Sequence, residues 1–195
     1  MTRLRIPLFP LHSVLFPGGP LALRIFEPRY LDMVSRCMKE ECAFGISLIQ
    51  EGDEVGDAAQ PYDIGTLARI SYFERRPDGL LGITVRGEQR FRIINTEVQA
   101  DQLLIAEVEL LPQVVPAPLP PEYSSLRQLL ASIIEQLDFP HRNLTCHYED
   151  AEWVGARLTE LMPIPLEQKQ LLLGLDDAID RLERIAQIIE NGQLG

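Results

Sequence analysis

Lysine is nearly missing from this chain: Lys39 and Lys169 are the two in 195 residues. Neither follows a glycine-rich turn nor precedes Ser or Thr, so a phosphate-cradling loop of the P-loop type is excluded. A Gly-x-Ser-x-Gly nucleophile elbow is also absent. Cysteine occurs three times, at Cys37, Cys42 and Cys146, an odd and sparse set that fits reduced thiols and no disulfide framework. No apolar run approaches the ~20 residues needed to span a bilayer. The opening MTRLRIPLFP lacks the apolar core and small-residue cleavage site of a secretory signal. The chain is therefore expected in the cytoplasm, with no membrane partner.

Positive charge is short overall, with 18 Lys and Arg against 29 Asp and Glu, a net charge of −11. Up to Pro112 the balance is 12 against 16, and beyond it 6 against 13. Duplex binding rests on cations that neutralise phosphates, so nucleic acid is disfavoured as a partner.

Few constellations have catalytic or metal-binding spacing. Ser13 directly follows His12, and neighbours on a strand or loop rarely face each other as nucleophile and base. His141, Cys146 and His147, even with Cys37 and Cys42 added, lack the short paired spacings of structural zinc sites. They read as packed thiols and surface histidines. Glu149, Asp150 and Glu152 suit a helix amino terminus, where negative charge meets the helix dipole. No catalytic residue, metal or cofactor is assigned, and the chain is expected not to be an enzyme.

The apolar pattern changes character along the chain. Residues 4–10, 20–26, 43–49, 80–85, 89–94 and 103–111 read as short strands, with another ending at Arg76. Pro28 suits the first turn of a helix reaching about Lys39. Pro77-Asp78-Gly79 presets a turn. Residues 113–121 are a proline-rich linker. Beyond it, apolar residues recur every three or four positions, in four helical stretches. The expected domains are residues 1–112, β-rich, and 122–195, all-helical.

Arg69, Arg75, Arg76, Arg86, Arg90 and Arg92 allow two readings. They form a basic face for phosphates or acidic peptides, or a solvated face paired with Glu74 and Glu88. The aromatic and loop residues Phe16, Pro17, Phe26, Arg29 and Tyr30 are similarly open, as core residues or as an apolar groove for hydrophobic segments.

Residues 6–30, IPLFPLHSVLFPGGPLALRIFEPRY, resemble the opening of the amino-terminal domain of Lon ATP-dependent proteases. IGTLARI at 64–70, Pro77-Asp78-Gly79 and VRGEQRFRI at 85–93 resemble that family's I-G-T strand, D-G turn and G-x-x-R-x-x-I strand. LEQKQLLL and DRLERI are weakly similar to its helices. The resemblance implies an α+β fold: a PUA-like β-barrel with an embedded helix, followed by a helical subdomain. It implies recognition of unfolded or hydrophobic polypeptide segments, and association with protease or chaperone components. A related domain occurs in eukaryotic proteins that recruit substrates for ubiquitination. The family's ATPase and protease modules lie carboxy-terminal to this domain. The chain is expected to be a stand-alone module without them, an adaptor or regulator in proteolysis. Self-association through the helical stripes stays open. The alternative is a barrel binding a small ligand or RNA through the arginines.

Overall fold

The computed structural model describes residues 2–192. The chain divides into two compact units, Met1–Leu111 and Pro112–Gly195. Among the described residues there are six strands, all in one sheet, and five α-helices.

The first unit runs β1 (Arg3–Leu11), β2 (Pro20–Ile25), α1 (Pro28–Glu40), β3 (Phe44–Glu51), β4 (Gln60–Arg75), β5 (Leu81–Val98) and β6 (Leu104–Leu110). The strand order is β2-β5-β4-β3-β1-β6, and β6 pairs again with β5. Only β1 and β3 pair in parallel. A parallel pair needs a long crossover, and α1 lies within the one that joins them. The helix starts at Pro28 and buries Tyr30, Met33, Val34 and Cys37. These pack with Phe9, Phe44, Ile46, Ile83 and Val85. Phe9 and Tyr30 stack with ring centroids 3.9 Å apart.

The two strands expected at 80–85 and 89–94 are one strand of 18 residues, β5. The ladder steps from Ala68↔Gly87 to Thr66↔Arg90. One extra β5 residue is thereby accommodated, and a bulge lets a strand bend without ending. Residues 81–86 pair with β2 and residues 91–98 with β6, along the same edge, since β4 holds the other.

Glycine is required where backbones nearly touch. Gly18 N–H donates to Gly87 C=O (2.8 Å), and Gly87 N–H donates to Gly19 C=O (2.9 Å). A Cβ on Gly87 would lie 2.2 Å from the Phe16 carbonyl oxygen. Thr66 Oγ1 ties the same loop down by donating to Leu15 C=O (2.6 Å). Gly65 makes room for the Phe91 ring, which a Cβ there would approach to 2.6 Å. The FPGG loop and the IGT and VRG segments thus interlock.

In the second unit α2 (Ser124–Ile134), α3 (Ala151–Leu161), α4 (Leu166–Leu173) and α5 (Ala178–Glu190) follow the apolar spacing. Asp150 caps α3 through Glu152 N–H, and Asp177 caps α5 through Ile179 and Asp180 N–H. Two arginines, Arg157 and Arg181, are fully buried. Arg181 pairs with Glu152 and donates to the Leu172 (3.0 Å) and Leu175 (2.8 Å) carbonyls. The expected linker is not free along its length. Leu119 N–H donates to Glu149 C=O, and Ala151 N–H to Ala117 C=O.

Gly87→Ala is expected to cost about 1–3 kcal/mol through overpacking against a backbone atom that cannot rotate away. Urea unfolding of the two proteins measures it.

Candidate functional site

A cleft of about 370 Å³ lies along β2, within the size range of ligand-binding clefts. Its walls are Leu21 to Ile25 of β2, Phe9 and Leu11 of β1, and Ser13 beyond β1. Phe26, Glu27 and Tyr30, at the start of α1, line it together with Glu54 and Val55 of the β3–β4 loop. Phe26 is 51% exposed and Val55 is also exposed, so apolar surface faces the solvent at its rim.

Arg29 organises this end of the unit. Its side chain is 5% exposed and its guanidinium lies 4.7 Å from the centre of the Tyr30 ring. Nη1 donates to Gln102 C=O (2.9 Å) and Nη2 to Glu54 C=O (3.5 Å), while Glu27 pairs with Nη2 at 3.0 Å. A buried charge needs such partners to offset its lost hydration. Glu27 does not cap α1 with its side chain; the carboxylate turns to Arg29 instead. Glu54 Oε1 accepts the His12 N–H at 2.6 Å. Together these bonds hold the acidic loop 51–57 against β1 and α1. Burial pushes the Tyr30 phenol up to about 12, Glu27 and Glu54 acting in the same sense against Arg29.

The residues expected from sequence to form a groove are divided by the structure. Phe26 and Tyr30 line the cleft, whereas Phe16 is 0% exposed and packed under the Gly87 interlock. Pro17 is not among the lining residues and Arg29 works from behind the wall. Leu21, Leu23, Glu54 and Val55 were missed. Leu21 and Leu23 alternate with Ala22 and Arg24, which announces a strand but not its free edge. Val55, one apolar residue amid Glu51, Asp53, Glu54 and Asp57, was a signal available in the sequence.

The arginine set does not form one basic face. Arg90 is 2% exposed, where the chain leaving β6 closes over β5: Leu111 N–H donates to Arg90 C=O (2.9 Å) and Gln89 to Leu111 C=O (2.7 Å). Arg69 pairs with Glu88, and Arg76 lies 3.8 Å from Asp78 and 4.0 Å from Glu74. Arg75, Arg86 and Arg92 are exposed, without an acidic partner among the described residues. Only Arg69 and Arg86 face each other across the ladder.

Nor do the thiols and histidines converge on a metal: among the described residues, no group of three or more His, Cys, Asp or Glu could hold one. Cys37, buried and hydrogen-bonded by Cys42, has its thiol pushed up to about 12, away from reactive thiolate character. Among the described residues no helix is long and apolar enough to cross a membrane.

The family model for the ATP-dependent protease La (LON) substrate-binding domain matches residues 5–191. The chain belongs to this family. A Lon N-terminal domain protein from Xanthomonas campestris, solved by crystallography, is 36% identical with a TM-score of 0.78, over 94% of this chain and 98% of that one. Lon protease from Cytophaga hutchinsonii is 24% identical over 95% of this chain and 24% of its own length. Protein cereblon from Xenopus tropicalis is 30% identical over 59% of this chain and 26% of its own length. The chain thus spans about a quarter of the length of these curated relatives. The Lon substrate-binding motifs divide on the structure: Phe16, Gly65 and Gly87 hold strands together, and the Phe26-Glu27-Pro28-Arg29-Tyr30 segment builds one end of the cleft.

Arg29→Met is expected to cost about 3 kcal/mol, since it strands the part-buried Glu27 and two carbonyls. Hydrogen exchange across residues 52–57 should accelerate before global unfolding. Alkali tests Tyr30: the unfolded phenol ionises near 10 and the folded one at about 12. The unfolded state then binds fewer protons in that window, so stability should fall as pH rises from 10 to 12. Tyr30→Phe should make that decline shallower in denaturant titrations.

Proposed function

We propose that this Lon substrate-binding domain is a non-catalytic recognition module that takes apolar polypeptide segments in the β2 cleft, as an adaptor or regulator in proteolysis. The observation that carries the reading is the half-exposed Phe26, which lines the cleft together with Leu21 and Leu23. An aromatic anchor in a preformed apolar pocket is the usual seat of binding energy. The match to a substrate-binding family supports the same reading. The ring of ladders β5-β4-β3-β1-β6 supports taking the first unit as the PUA-like barrel that the motifs imply. We infer domain limits near residues 112 and 122, with the clients recruited by the first unit. The scattered arginines favour no reading based on RNA or a small anionic ligand.

Reduced, carbamidomethylated lysozyme, a permanently unfolded basic protein, is the first probe. Fluorescence anisotropy should show binding that Phe26→Asp weakens at least tenfold, equivalent to about 1.4 kcal/mol. Phe26 is half exposed, so the variant should keep its unfolding midpoint. Unchanged affinity in a folded variant would remove the cleft from the reading.

A further inference from the structure

The slot that holds the cleft is short of a strand. Among the described residues, β2 pairs with β5 on one edge and with no strand on the other. Backbone groups of residues 21–25 make no hydrogen bond outside that ladder among the described residues. β1 has a matching gap: β6 pairs with it from Arg3 to Leu8, while Leu8 to Leu11 pair with β3. Beyond Leu8 that edge of β1 meets no strand among the described residues; Leu110 N–H donates to Thr2 C=O, so even-numbered β1 residues face β6 and the Pro10 carbonyl faces the gap. Phe9 and Leu11, on either side of Pro10, line the same cleft as β2.

Side-chain alternation locates the cleft along the edge and not across one face. Leu21, Leu23 and Ile25 turn toward the core while Ala22 and Arg24 are exposed, yet all five line it. Unpaired strand edges attract other strands unless protected. Here the edge is recessed and begins at Pro20, which suits capture of one segment more than sheet-to-sheet stacking.

Charge selects the occupant. The cleft carries Glu54 and the Glu27 that is paired with Arg29, and Glu51 at the end of β3, with Asp53 and Asp57 of the following loop, leaves the surroundings acidic. The one cation on the lining, Arg24, is paired with Asp78. Cationic groups are drawn to such a rim and anionic ones repelled, most strongly at low salt.

From these features we propose that the cleft takes its polypeptide by strand addition: an extended segment of alternating apolar residues, flanked by Lys or Arg, pairs its backbone with the open edge of β2. This rests on the polypeptide-recognition reading above and adds the conformation and charge of what is recognised. Main-chain bonds provide affinity without fixing sequence, and alternate side chains fall on Phe26, Leu21 and Leu23.

The probe is a lysine-flanked peptide of alternating Val and Thr, with two derivatives methylated on the amide nitrogens of even or of odd positions. In an extended strand, amides of one parity face one edge. Methylation of one parity should weaken binding at least tenfold, and of the other less than threefold. Replacing the flanking lysines with glutamate should weaken it at least threefold at low salt, with a smaller penalty in Glu54→Gln. Equal effects of the two parities would overturn strand addition. So would a peptide that fails to bind a protein which still captures carbamidomethylated lysozyme, and polypeptide recognition would then stand. If neither ligand binds, both readings fail together.

Discussion

β5 divides one edge between two partners, and the first unit depends on that division. Its residues 81–86 hold β2 and its residues 91–98 hold β6, while β4 occupies the opposite edge. A strand of 18 residues is needed for this, and the bulge beyond Gly87 allows it to bend between its two partners. The sheet returns upon itself through β6, and β2 is left with one edge unpaired. The β5–β6 pairing and the cleft thus have a common origin. The Gly87 contact with the FPGG loop sets where β2 begins, because no side chain fits between Gly87 and the Phe16 carbonyl.

A buried cation stabilises the other wall. Arg29 gathers Glu27, the Glu54 carbonyl and the Gln102 carbonyl around one guanidinium. Burying that charge is costly without these partners and favourable only as a set. The result is an acidic loop fixed in position beside an apolar strand. Loops are usually the mobile parts of a fold, so a loop pinned at the Glu54 carbonyl and carboxylate can serve as a preformed wall. Preorganisation of this kind reduces the ordering cost of binding.

The second unit uses the same device for a structural end. Arg181 ties Glu152 of α3 to one carbonyl in the last turn of α4 and one just beyond it, and Asp150 and Asp177 close the helix starts. Charge in this acidic chain is therefore unevenly employed. Several arginines are spent inside the units or on single carboxylates, which leaves few to act together at the surface. An arginine-rich sequence segment need not make a basic surface.

Local chemistry made much of the fold legible in the sequence. Pro28 started α1, Pro77-Asp78-Gly79 turned β4 into β5, and Asp177 capped α5, each through bonds within a few residues. The motifs also sufficed to place the chain with Lon substrate-binding domains. Apolar alternation marked β2 as a strand, but it could not tell whether one edge or both would be paired. That was decided by contacts between residues some sixty positions apart, such as Leu23 with Ile83. The same long-range packing buried Phe16 and Arg90 and exposed Phe26, though all three stood in equally suggestive motifs. Sequence determined which residues were apolar, charged or free to turn. Tertiary structure alone decided which of them face water, because exposure depends on what the rest of the chain brings alongside.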